Sequence, residues 1–314
     1  MPKPLPPATM ANLAPPPTAF PYEFFENVER HPFVPSAAGL DLRNVWWLMD
    51  AAFLSYSAEA DVRAVFQRNV FGSAVSVRWF SGRRTTQCYV ADADDWIVLA
   101  FRGTQVDEFW PSVIDWSVDA RFMPTHDAHG DLVHSGFLAA VQEVWSDVIG
   151  YVKTVQARRP RPLWVTGHSL GAALATIAAN LCSDEPAAGL HALHTYGSPR
   201  VGDKQFGRRI GVPVWRMRNN SDLVTNVPLG LVFRHAGTLA FVDGGGHWHG
   251  GPSEAEEALL EATTSGFSSG QAHHVGSLLS LAHGGVPVPG PLADHAPINY
   301  AIRLWNCYEA SVRP

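Results

Sequence analysis

The strongest constraint on this 314-residue chain is a run of five residues, Gly-His-Ser-Leu-Gly at 167–171. A short apolar stretch, LWVT at 163–166, precedes it, and a small-residue stretch, LGAALATIAANL at 170–181, follows. The first reads as a buried strand and the second as a helix. A serine between glycines at a strand-to-helix junction requires a sharp, strained turn that lifts its hydroxyl above the sheet. Gly167 and Gly171 remove side chains where strand and helix pass closely, and Ala172, Ala173 and Ala175 keep the helix slim. Ser169 is therefore a candidate nucleophile. The backbone N–H of Leu170 falls in the first helical turn, where it can stabilise an oxyanion. His168 diverges from the serine at such a turn and reads as packing beside it.

The flanking pattern fits that junction. Residues 42–56 have helical apolar spacing, and 73–80 and 86–91 read as a hairpin across a Ser-Gly-Arg-Arg turn. The continuous apolar run at 96–101 suits a strand buried on both faces. A long amphipathic helix at 137–156 follows, then the strand at 163–166, strands at 191–196 and 214–217, and one or two more within 231–242. A final helix occupies 296–309. This alternation predicts an α/β fold with a mainly parallel central sheet and helices on both faces. Eight prolines in the first 21 residues predict an extended or disordered leader, with one domain over 22–314. Residues 244–293, rich in Gly, His, Ser and Pro, read as a cap or loop insertion, with helical stretches near 254–262 and 275–282.

Composition narrows the function classes. The net charge is -6 and no basic run interleaves with aromatics, which argues against a nucleic-acid partner. No stretch of about 18 apolar residues predicts a membrane span. Cys88, Cys182 and Cys307 are widely spaced, without a CxxC pair, so three free thiols are expected and no structural zinc site. The leader lacks the apolar run of a signal peptide. Together these favour a reducing, cytoplasmic compartment, or export by another route.

Four segments carry a resemblance. AFRGT (100–104), VHSGF (133–137), GHSLGAALA (167–175) and YGSPRVGD (196–203) stand in the order found in the class 3 lipases, the fungal-type triacylglycerol lipases. The likeness spans about residues 90–300. It implies an α/β-hydrolase fold, a Ser–Asp–His triad in that chain order, a lid helix and no cofactor. Asp222 lies on a polar loop after the 214–217 strand, in a segment resembling the family's D-x-V-P-x-x-P. Thr225 stands where the first proline is expected. Asp203 is the rival acid and reads as a helix cap. His295 follows Asp222 and precedes the last helix, and D-H-x-x-x-x-Y resembles the family's histidine segment. The resemblance gives Thr104 the second oxyanion donor. It also makes Phe109, Trp110, Val113, Ile114 and Trp116 the apolar face of a lid over an acyl groove; an ordinary packed helix is the alternative. His134 and His235 read as structural hydrogen-bonding residues. His247 and His249, four and six residues beyond Asp243, lack a defined metal-ligand set.

The expected activity is hydrolysis of lipid carboxylic esters through an acyl-enzyme, acting on acylglycerols at an oil–water interface. Phospholipase A1 or feruloyl-type esterase action is the nearest alternative. A non-catalytic lipid-binding α/β-hydrolase is the alternative of another class.

Overall fold

The apolar run at 96–101 forms a strand whose residues divide between two separate cores. The computed structural model describes residues 2–16, 20–68, 71–72, 74–104, 123–228, 232–252 and 287–313. In it, Ile97–Phe101 is β3, buried along its whole length. Val98 and Ala100 enter one core, while Ile97, Leu99 and Phe101 enter the other. Successive side chains of a strand point to opposite faces, so a strand covered on both sides must be apolar throughout.

The strands are β1 (Ser76–Ser81), β2 (Gln87–Asp92), β3, β4 (Pro124–His126), β5 (Leu132–His134), β6 (Leu163–His168), β7 (Leu190–Tyr196), β8 (Val214–Asn219), β9 (Thr238–Val242) and β10 (Trp248–Gly250). Eight of them form one sheet in the order β1-β2-β3-β6-β7-β8-β9-β10, and β4 pairs with β5 separately. Pairing from β3 through β9 is parallel; β1–β2, β2–β3 and β9–β10 are antiparallel. The expected mainly parallel sheet is present.

The helices are α1 (Met10–Leu13), α2 (Leu42–Leu54), α3 (Glu59–Phe66), α4 (Ser135–Arg158), α5 (Leu170–Cys182), α6 (Lys204–Arg208), α7 (Gly290–Ala293) and α8 (Pro297–Val312). On one face α2 packs against α8, with Trp46 and Trp305 ring centroids 4.6 Å apart. On the other, α4 and α5 cover Leu163 and Val165 of β6. Asp41 caps α2 by accepting from the N–H groups of Arg43 and Asn44. Among the described residues no helix is long and apolar enough to cross a membrane.

Register sets where chemistry can occur. Phe101 lies beside Gly167, His168 beside Tyr196, and Tyr196 beside Met217. The carboxyl ends of β3, β6, β7 and β8 are therefore level, and the loops leaving them share one crevice. Open α/β sheets bind ligands at that edge.

Two expectations need correction. The Pro-rich leader is laid on the domain where it is described. The Lys3 N–H donates to Asn306 Oδ1 (2.7 Å), Val288 N–H donates to the Ala8 carbonyl (2.7 Å), and Leu13 is buried. Prolines restrict the unfolded leader, which lowers the entropic cost of docking it. The stretch read as an insertion contributes β10 as an edge strand, because Trp248–Gly250 pairs with β9. Its predicted helices fall outside the described residues. Of the one or two strands expected within 231–242, β9 forms, and Arg234 meets Gly202 in an isolated bridge. Helix α3 and the β4–β5 pair, too short to carry strong periodicity, were not expected.

Asp50 of α2 anchors the segment after the leader. Its carboxylate accepts from the Tyr22 hydroxyl and, at 2.6 Å, from Phe25 N–H. Burial pushes this carboxyl up to about 7. A raised folded-state value stabilises fully below the ordinary carboxylate range, about 4, and the contribution is lost as pH rises through 7. The fold should therefore lose on the order of 4 kcal/mol from this group between those pH values. Asp50→Asn should flatten that part of the profile in urea unfolding; a variant with the wild-type slope would assign it elsewhere.

Candidate active site

Ser169 sits at φ 60, ψ -128, between the last residue of β6 and the first of α5. Left-handed φ is strained for a non-glycine residue and is held here by its surroundings. Its N–H donates to the Tyr196 carbonyl at 2.9 Å, and its carbonyl accepts from Ala172 N–H at 2.9 Å. The flanking glycines are obligatory. A Cβ on Gly167 would stand 2.2 Å from the Gly171 carbonyl oxygen, and one on Gly171 would stand 2.3 Å from that of Phe101. Strand β6, helix α5 and the end of β3 thus meet backbone to backbone. Ser169 is fully buried, and its Oγ has no hydrogen-bond partner among the described residues.

Ser169, His295 and Thr104 line one cavity of about 40 Å³. His295 Nδ1 lies 2.9 Å from both carboxylate oxygens of Asp222. Burial pushes the Asp222 carboxyl up, but His295, the Tyr300 hydroxyl (2.6 Å) and Val224 N–H (2.9 Å) outweigh it and hold the group below the usual carboxylate range. The carboxylate is therefore charged and fixed. The arrangement brings together the three residues picked out for the triad. Thr104 lies past the end of β3, with its hydroxyl buried and without a partner among the described residues. Leu170 opens α5.

Several supporting residues were not singled out from sequence. Asp294 Oδ2 accepts from Asn220 Nδ2 (2.8 Å) and Ser221 N–H (3.3 Å), and Asn219 Nδ2 donates to the Asp294 carbonyl at 2.8 Å. The loops carrying acid and base are thereby tied together. Tyr300, one turn into α8, accepts from Asn219 N–H (2.9 Å) while donating to Asp222. Its place in D-H-x-x-x-x-Y was the available signal. Gly197, at φ 57, leaves no room for a side chain: a Cβ would lie 2.7 Å from Asp222 Oδ2 and 2.9 Å from His295 Cε1.

His168 does more than pack. Its Nε2 lies 2.8 Å from the His295 carbonyl, which only accepts, so Nε2 carries the proton. Its Nδ1 then accepts from the Tyr56 hydroxyl at 2.8 Å. Burial, then the nearby His295, hold His168 well below the ordinary histidine value, so the ring is neutral. The Tyr56 hydroxyl also stands where a Cβ on Gly103 would be, 1.9 Å away. Tyr56 and His168 therefore link the Gly103 loop, the serine turn and the backbone of His295.

The remaining polar candidates fall elsewhere. Asp203 accepts from Phe206 N–H (2.8 Å) and caps α6. His134 caps α4, accepting from Phe137 N–H at 3.3 Å, and His235 Nε2 bonds the Thr225 carbonyl at 2.8 Å. His247 and His249 both pair with Asp243 on the surface, at 3.2 and 3.0 Å. Phe109, Trp110, Val113, Ile114 and Trp116 lie outside the described residues. Cys88, Cys182 and Cys307 are free and buried.

This is the α/β-hydrolase fold, with its candidate nucleophile on the turn after a central strand. The sequence model of the lipase (class 3) family matches residues 98–231 of this chain. A "Secreted mono- and diacylglycerol lipase A" of Penicillium cyclopium is 38% identical over 140 residues, 42% of this chain and 43% of that protein. A chloroplastic phospholipase A(1) of Arabidopsis thaliana is 28% identical over 155 residues, 42% of this chain and 33% of that one. The chain thus spans less than half the length of these curated relatives. The solved Rhizomucor miehei triacylglyceride lipase superposes with TM-score 0.52 at 27% identity, covering 63% of this chain and 78% of its own. Its propeptide complex superposes with TM-score 0.54 at 25% identity, covering 76% and 85%.

The Penicillium relative is named as secreted, which overturns the expectation of a cytoplasmic, reducing compartment. The reason lies in the thiols. All three are buried, and burial raises their pKa values, so their reduced state carries no information about the compartment.

Gly197→Ala should push Asp222 and His295 apart. A displacement of that kind costs about 100-fold in kcat. Steady-state hydrolysis of p-nitrophenyl butyrate, beside an unfolding curve, would check it; wild-type kcat would show that the pair tolerates the shift.

Proposed function

We propose that the protein is a serine hydrolase of lipid carboxylic esters. The observation that carries this reading is the strained Ser169 turn in one cavity with a His295 held by a buried, charged Asp222. His295 takes the Ser169 proton, and Asp222 orients the ring and stabilises its cation. Ser169 attacks the ester carbonyl, and the oxyanion is received by N–H groups of Thr104 and Leu170. Each such donor is worth about 2.7–4 kcal/mol in the transition state. The alcohol leaves, and water releases the acyl group by the same steps. The printed names of the relatives support acylglycerols or phospholipids as substrates, and the name of the Penicillium relative supports secretion. A merely lipid-binding role is disfavoured, since a member of each catalytic class is present at the site. Ser169→Ala should lower kcat for dioleoylglycerol by on the order of 10⁶ and leave the unfolding curve in place. Retained turnover would remove Ser169 from the mechanism.

The leader is proposed to cover this site. Met10, Leu13, Ala14 and Pro15 line the same cavity as Ser169 and His295. Among the described residues the cavity so covered measures about 40 Å³. Coverage of this chain is also larger for the Rhizomucor propeptide complex than for the lipase alone. Leu13→Asp should loosen the cover, since burying one leucine is worth about 1.5–3 kcal/mol. A rise of about tenfold in kcat/KM for dioleoylglycerol is expected; an unchanged or lower value would sink the idea.

A further inference from the structure

A second cavity, of about 280 Å³, adjoins the oxyanion residues on the side away from the leader. It lies between the β1–β2 turn, the end of β3 and the facing surfaces of α4 and α5. Arg84, Thr86, Gln87, Arg102, Thr104 and Leu170 contribute to its wall. Thr104 lines this cavity and the one holding Ser169. A group seated here therefore stands next to an ester whose carbonyl is at Ser169.

Among the described residues the two arginines of this cavity differ in their partners. Arg84 is exposed and pairs with Glu143 at 3.6 Å, and its N–H donates to the same carboxylate at 3.2 Å. Arg102 is half-buried. Its guanidinium donates to the Gln87 side-chain oxygen, and among the described residues no carboxylate pairs with it. Burial lowers its pKa, the mark of a cation held where charge is disfavoured. A guanidinium cannot neutralise itself by losing a proton, and one amide oxygen uses only one of its five donors. The chain as a whole is acidic, at -6, so this cleft runs against the overall sign.

The missing complement is an anion with several acceptor oxygens. The guanidinium fork matches phosphate geometry, and Thr85 and Thr86 line the same cavity. We propose that this cavity binds a phosphate group. The group is carried either by a glycerophospholipid whose acyl ester lies at Ser169 or by a free phosphate. This rests on the ester-hydrolase reading and specifies its substrate class.

The test uses the full chain and non-ionic detergent micelles containing dioleoylphosphatidylglycerol or dioleoylglycerol. The readout is the ratio of the two kcat/KM values, with Arg102→Gln and Arg84→Glu beside the wild type. Loss of a charge-assisted contact should lower the ratio about tenfold in Arg102→Gln, through KM for the phospholipid. Arg84→Glu, on an exposed side chain, should lower it in the same direction and covers the case in which Arg102→Gln does not fold. Inorganic phosphate that inhibits wild-type dioleoylglycerol hydrolysis but not the Arg102 variant, with an unchanged ratio, would assign the site to the free anion. An unchanged ratio without phosphate inhibition would overturn the phosphate site and leave the ester-hydrolase reading standing. Hydrolysis of neither lipid by the wild type would overturn both.

Discussion

The meeting of three backbones at Gly167 and Gly171 is the contact on which the rest of the site depends. β6 ends, α5 begins, and the carbonyl of Phe101 closes in, all at distances that exclude a Cβ. Only that approach puts Ser169 at a left-handed φ with its hydroxyl above the sheet. The strain is opposed by the Ser169 N–H bond to Tyr196 and by the first turn of α5. Cost and restraint are local, but both require the parallel register of β3, β6 and β7.

From that point the site is assembled by pairs of loops. Asp294 clasps the acid loop, so the position of His295 follows that of Asp222. Tyr300 reaches Asp222 from α8, and Gly197 yields the space that the pair occupies. Tyr56 and the neutral His168 join the Gly103 loop to the His295 carbonyl. Hydrogen-bonded groups buried at this depth are costly to leave unpaired, so each fixes the others. A preorganised site of this kind needs little rearrangement at the moment of reaction.

Two neighbouring cavities meet at this point. The apolar one holds Ser169 and His295 and is lined by leader residues; the polar one holds Arg102. Thr104 is their common wall. Acyl selection and headgroup selection would in that arrangement be separable, since apolar contact is non-directional and the guanidinium fork is not.

The linear pattern was enough for the parts governed by short range. The strand–turn–helix around Ser169, the apolar β3, the cap at Asp203 and the four-segment resemblance were legible because periodicity and local motifs need only neighbours in sequence. Asp222 and His295 were legible through chain order and their flanking residues. Tertiary structure alone decided that the leader folds back and that Gly197, Tyr56 and Asp294 brace the acid and base loops. Each of these depends on a partner far along the chain: Ala8 on Val288, Gly197 on His295, Tyr56 on His168. Such contacts arise from the packed register of the sheet, and no local preference of a residue announces them.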